Sequence, residues 1–171
     1  MSLARYALYC GAAAGVASSA AVMLDSMARG RSPWQPVNAT SHWLWGSEAG
    51  TRRRPDFAHT VTGLATNQSA AMFWGAIFGA WLSSQPPRTM AQMARDAAIM
   101  GAIATTLDYG ILPRRLSPGW ELAGGTRLAA LGMTATVLGL AAGGLAAQGR
   151  TARRRRLVRR IGAGSRWAGH G

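Results

Sequence analysis

The chain has 171 residues and a mass of 18.0 kDa, enough for one domain. Alanine supplies 34 residues and glycine 22; all 19 basic residues are arginine, and six acids leave a net charge of +13. Charged residues make up 15%, against about 25% in ordinary soluble domains, and they gather between long uncharged runs, which argues against a soluble globular protein and against disorder.

What remains is a small multi-span membrane protein. The basic excess has two readings. A basic stripe is the footprint of nucleic-acid binding. Arginines flanking apolar spans instead meet anionic headgroups and set orientation. Here the arginines stand at the ends of apolar runs, so the membrane reading is preferred and no nucleic-acid partner is expected. The single cysteine, Cys10, has no internal partner for a disulfide and reads as a small apolar residue in a helix.

A helical span needs about 20 apolar residues. The first candidate is Tyr6–Leu24, 19 uncharged residues between Arg5 and Asp25, too long for a signal-peptide core. The second, placed at 59–82, is stopped by Pro86-Pro87. The third, 94–112, ends before Pro113 and holds Arg95, Asp96 and Asp108, which makes it the weakest. The fourth, 128–149, is uncharged between Arg127 and Arg150. The loop 25–56 is rich in tryptophan. Asn38, or Thr40 and Ser41, is placed to cap a short helix ending near Gly46. Trp34, Trp43 and Trp45 suit the headgroup level as interfacial anchors, so the loop reads as re-entrant or interfacial. The tail 150–171 has eight arginines and no acid; it reads as a flexible segment or a surface-lying helix, with Arg153, Arg154, Arg155 and Arg156 binding anionic lipid headgroups. Four spans put both termini on one side with 11 arginines against eight, which favours cytoplasmic termini. Three spans would give 13 against six.

Small residues recur every four positions: Gly11, Gly15 and Ser19; Gly75 and Gly79; Ala98, Ala102, Thr106 and Gly110; Ala135, Gly139, Gly143 and Ala147. In lipid, close backbone approach through such residues supplies helix packing. Asp108 is the sharpest single residue. An intramembrane carboxylate costs about 2.5–3.5 kcal/mol to insert, so it needs protein, water or a partner. It is either a proton or cation site, together with Tyr109, or a helix-end aspartate held by Arg114 or Arg115. His59, Thr62, Gly63, Thr66 and Asn67 share a helix face that must look at protein or a cavity, either as an interhelical seam or as a polar site with Asp108 or His42. His42 and Glu48 lie in the tryptophan loop, but no metal-ligand spacing is present, so no metal and no cofactor are expected. Ser41, His59 and Asp108 contain the residue types of a hydrolytic triad without the G-x-S-x-G elbow that would support one.

Three phrases occur in order: P-V-N-A-T-S-H-W-L-W-G-S-E-A (Pro36–Ala49), H-T-V-T-G-L-A-T-N-Q-S-A-A-M-F-W (His59–Trp74) and L-D-Y-G-I-L-P-R-R-L-S-P-G-W-E (Leu107–Glu121). Together they resemble a family of small four-helix bacterial inner-membrane proteins with no established activity, over about residues 5–148. The resemblance implies an architecture and a helix-end element in which Asp108-Tyr109 precedes Pro113-Arg114-Arg115-Leu116. Relatives in that family carry histidine where this chain has Asn67, which argues against a metal or proton role for that face.

The expectation is an all-α polytopic membrane protein: a four-helix transmembrane bundle over 1–149 with a tryptophan-rich interfacial loop, then the basic tail. The expected role is a structural or accessory component of the inner membrane rather than an enzyme. Its expected partners are the bilayer, anionic headgroups, and a second copy or a larger membrane assembly. The rivals are an oligomeric ion- or proton-coupled transport unit using Asp108 and the His59/Asn67 face, and a membrane-embedded enzyme.

Overall fold

A computed structural model describes residues 2–167, with side chains described to Gly149. The described residues are mostly helical, without strands. Helix α1 (Leu3–Ala28) is alanine-rich, as good helix formers would have it. It stops where Gly30 takes a φ of +66°, while the Gly30 and Arg31 amides donate to the Met27 and Ser26 carbonyls at 2.9 and 2.8 Å. That is a glycine-terminated helix end, which satisfies two carbonyls that would otherwise lack partners. Short helices α2 (Trp34–Ala39) and α3 (His42–Trp45) and a 3-10 turn (Ser47–Thr51) form the long loop.

A π turn (Phe57–Val61), capped by Asp56, leads into α4 (Thr62–Ser83). After Pro86-Pro87, Thr89 and Gln92 form a reciprocal cap that starts α5 (Met90–Thr106). A second π turn (Leu107–Ile111) extends α5 to the residues before Pro113, and a 3-10 turn (Arg114–Leu116) follows. Helix α6 runs from Trp120 to Trp167 with a break in helical geometry at Gly124 and Gly125. It continues past Gly149, so no break in the backbone marks the start of the basic segment. The side chains of Arg153–Arg156 lie outside those described, and so does the whole of 168–171.

The long helices are not arranged as a square. Helix α1 is central, with α4 along one side and α6 along the other, and α5 packs on α6 while barely meeting α4. The small-residue stripes explain the two main seams. A Cβ added to Gly75 would lie 2.6 Å from the Gly11 Cα, and one added to Gly143 would lie 2.6 Å from the Cys10 Cα. Backbones this close bring many atoms into contact, each pair worth only about 0.1–0.2 kcal/mol. The third stripe is a correction: Ala98, Ala102, Thr106 and Gly110 are exposed. Helix α5 packs through Met93, Ala97, Met100 and Ala104 instead.

Polar clamps close both ends. At one end Arg127 grips Asp25 with two hydrogen bonds of 2.7 and 2.8 Å, tying α6 to α1. At the other, the Gln148 amide brackets the Arg88 backbone at 2.7 and 3.1 Å, and Asp96 is held between Arg88 at 3.0 Å and Arg95 at 2.9 Å.

Two helices are long and apolar enough to cross a membrane, Leu3–Ala28 and the Trp120–Gly149 part of α6. By the same measure α4 and α5 do not qualify. Asn67 and Gln68 lower the average along α4, and α5 has 17 residues and carries Arg95 and Asp96.

Candidate functional site

The N-A-T-S-H phrase builds a polar hub. Asn38 is fully buried between α2 and the chain leading to α4. Its amide nitrogen donates to the Arg52 and Arg54 carbonyls, both at 3.0 Å, and its oxygen accepts from the Thr60 hydroxyl at 2.7 Å. Thr40 donates at 2.7 Å to the Gly63 carbonyl in the first turn of α4. Ser41 donates at 2.7 Å to the Asn38 carbonyl. The two ring nitrogens of buried His42 each face a carbonyl at 3.1 Å, that of Ala39 and that of Arg114. A neutral imidazole donates to only one of them. Arg115 donates at 2.7 Å to the Trp43 carbonyl. The phrase thus joins the long loop to both α4 and the α5–α6 connection. The tryptophans take part as well: Trp43 donates to Thr66 at 2.9 Å and Trp45 to the Ala58 carbonyl at 3.2 Å, while Trp34 is half-buried at the start of α2.

Space is left at this end of the helices, beside the tryptophan loop. A cavity of about 1110 Å³ lies between α3, the end of α5 and the start of α6. Its wall is largely apolar, with Leu112, Leu122, Ala129, Ala130 and Met133 beside Trp43 and Trp45. Its polar groups are His42, Asp108, Tyr109, Arg114, Arg115, Ser117 and Glu121. A smaller cavity of about 100 Å³ lies towards α4, against Thr66, Asn67 and Trp74. Asp108, Ser117 and Met133 line both.

Of the six acids, five are engaged. Asp25 and Asp96 are in the end clamps. Glu48 pairs with Arg52 at 3.1 Å. Asp56 accepts from the His59 amide at 2.7 Å and meets its ring Nδ1 at 2.9 Å, and these bonds hold its carboxyl below the usual carboxylate range, the backbone bond foremost. Glu121 accepts from Ser117 at 2.6 Å and from Tyr109 at 3.2 Å. Asp108 has no hydrogen-bond or ion-pair partner among the described residues. The pairing with Arg114 or Arg115 considered from the sequence is therefore not made.

The expected polar face divides. Asn67 faces α1, donating to the Gly15 carbonyl at 3.1 Å and to Ser18 and Ser19 at 3.1 and 2.9 Å. His59 turns to Asp56 and packs on Trp45 with ring centroids 5.5 Å apart. His59 and Glu48 line neither cavity, whereas His42, Asp108 and Tyr109 share the large one. Ser41, His59 and Asp108 each have separate surroundings and make no bonds with one another. Among the described residues, no three metal-ligating side chains converge. Sequence reasoning passed over Glu121 and Ser117. The available signal was their position at the end of the third phrase, four residues apart at the start of a helix, where a carboxylate meets the positive end of the helix dipole.

No protein-family model matches the chain, and no curated protein or solved structure matches it.

Proposed function

We propose that the chain is an integral protein of the bacterial inner membrane that crosses the bilayer four times with both termini cytoplasmic, and that it acts as a ligand-holding accessory component rather than an enzyme. The observation that carries this is the distribution of side-chain size. All four long helices present large apolar groups outward: Leu8 and Val16 on α1, Phe73 and Trp81 on α4, Ile99 and Ile103 on α5, and Leu138 on α6. Where the backbones of α1, α4 and α6 come closest, the seams run through glycine, alanine and serine, with Tyr6, Phe78, Leu82 and Leu140 filling the core between them and α5 packing through Met93 and Met100. So many exposed large apolar groups on every long helix form more apolar surface than a water-facing bundle carries; in lipid they face the solvent while small residues let the backbones pack.

The low average hydropathy of α4 does not oppose this reading, because Asn67 and Gln68 spend their polarity on α1. The 17-residue α5 gains length from the five-residue π turn that extends it, and its Asp96 is ion-paired at the end nearest the N-terminus. A ligand-holding role is favoured over a purely structural one by unpaired Asp108 at the junction of two cavities.

Single-cysteine labelling in whole cells tests the topology. In a Cys10→Ala background, Ser47→Cys and Leu116→Cys react with an impermeant thiol reagent from outside, while Ser2→Cys and Ser84→Cys react only after permeabilisation. External labelling at Ser84, or recovery of the protein in the soluble fraction, overturns the four-span reading.

A further inference from the structure

We infer that the large cavity binds the head of a zwitterionic phospholipid, with the lipid ammonium at Asp108 and the phosphate at Arg114 and Arg115. The inference rests on the membrane reading above, since it takes its ligand from the bilayer. Three features carry it.

The first is charge. The cavity presents one carboxylate without a partner, Asp108, and two exposed guanidiniums. Glu121 is already occupied by Ser117 and Tyr109. Arg115 uses its Nε on the Trp43 carbonyl, and guanidinium donors remain free beyond that bond. A simple organic cation would satisfy Asp108 and be repelled by the arginines. A simple anion would meet the reverse. A ligand bearing both charges satisfies all three groups, and guanidinium favours phosphate by its fork geometry.

The second feature is the wall. Leu122, Ala130 and Met133 give the cavity an apolar side, which suits the glycerol backbone and first methylenes of an acyl chain. The third is size and place. About 1110 Å³ exceeds what a single small ion needs, and the cavity lies at the end of the helices where Trp43 and Trp45 also line it, at the level where aromatic rings meet headgroups.

The test compares two lipids with identical chains. The full-length protein, purified in detergent and delipidated, is titrated with phosphatidylethanolamine or phosphatidylglycerol, and binding is read by native mass spectrometry. The two heads share the phosphate and differ in the ammonium, so phosphatidylglycerol also reports adventitious binding to the arginine-rich tail. Asp108→Asn is expected to weaken phosphatidylethanolamine binding about tenfold and to leave phosphatidylglycerol unchanged, as loss of one charge-assisted bond requires. Ala130→Trp, which fills the cavity without altering charge, is expected to abolish the preference for phosphatidylethanolamine and keeps the test open if Asp108→Asn does not fold. Equal affinity for the two lipids in the unaltered protein, equal losses for both in Asp108→Asn, or an unchanged preference in Ala130→Trp overturns the inference. Any of these results with the cysteine topology intact overturns the lipid site alone; a failed topology overturns the membrane reading itself.

Discussion

Asp56 and Asp108 differ in what surrounds the same functional group. Asp56 caps the π turn and is hydrogen-bonded twice by His59, so its ionised form is favoured in the folded chain. A carboxyl whose folded value is depressed stabilises the fold at a pH above its unfolded value, here 3.8, and loses that contribution as pH falls through the lower folded value. Thermal melts of the protein and of Asp56→Ala should therefore differ above pH 3.8, and the margin should close below that pH. A margin that persists undiminished well below pH 3.8 would refute the assignment. Asp108 stands out in the sequence as a carboxylate within an apolar run, whereas Asp56 only bounds one, and the partners of neither can be read there. The choice of Asp108 over Asp56 as the open group depends on where Arg114 and Arg115 point, and only the folded connection decides that.

At the scale of elements, the seams of α1 depend on missing side chains. Gly75 meets Gly11, and Gly143 meets Cys10, closer than any Cβ allows. Gly75→Val should separate α1 from α4 and destabilise the bundle by about 1–3 kcal/mol, the usual cost of overpacking. The loss would be read as a lower melting temperature in detergent, with Ala98→Val on exposed α5 as the neutral comparison. Equal effects of the two changes would show that the seam is not tight. The stripes on α1, α4 and α6 could be read from spacing, as could the helix stops at Pro86 and Pro113. The stripe on α5 could not. Spacing shows that small residues share a face, but a face has no neighbour until the helices are packed, and α5 turns its stripe outward.

At the scale of the molecule, α1 is held on both sides and α5 on one; the smaller cavity lies between α4 and the end of α5, and the larger between α3, the end of α5 and the start of α6. The clamps between Asp25 and Arg127 and between Gln148 and Arg88 lie within residues 2–149. A chain ending at Gly149 should therefore melt within a few degrees of the full-length protein, because the removed segment closes no described clamp. A large drop in melting temperature would give the basic segment a structural role that its composition does not.

Helix content, the helix stops at Pro86 and Pro113, and the small-residue stripes of α1, α4 and α6 follow from the sequence alone, because each is a local or periodic property of the chain. The N-A-T-S-H hub was legible only as caps for a short helix, and those cap bonds do not form: Ser41 precedes α3 but donates back to the Asn38 carbonyl, and the partners of Asn38 and Thr40 lie at Arg52, Arg54, Thr60 and Gly63, beyond the reach of a local rule. Which polar groups cancel one another and which are left open was decided only by the tertiary structure. Asn67 was satisfied by α1 residues distant in sequence and His59 turned aside to Asp56, while Asp108 was carried to the junction of two cavities without a partner among the described residues, because hydrogen bonding and ion pairing depend on distances that sequence order does not contain.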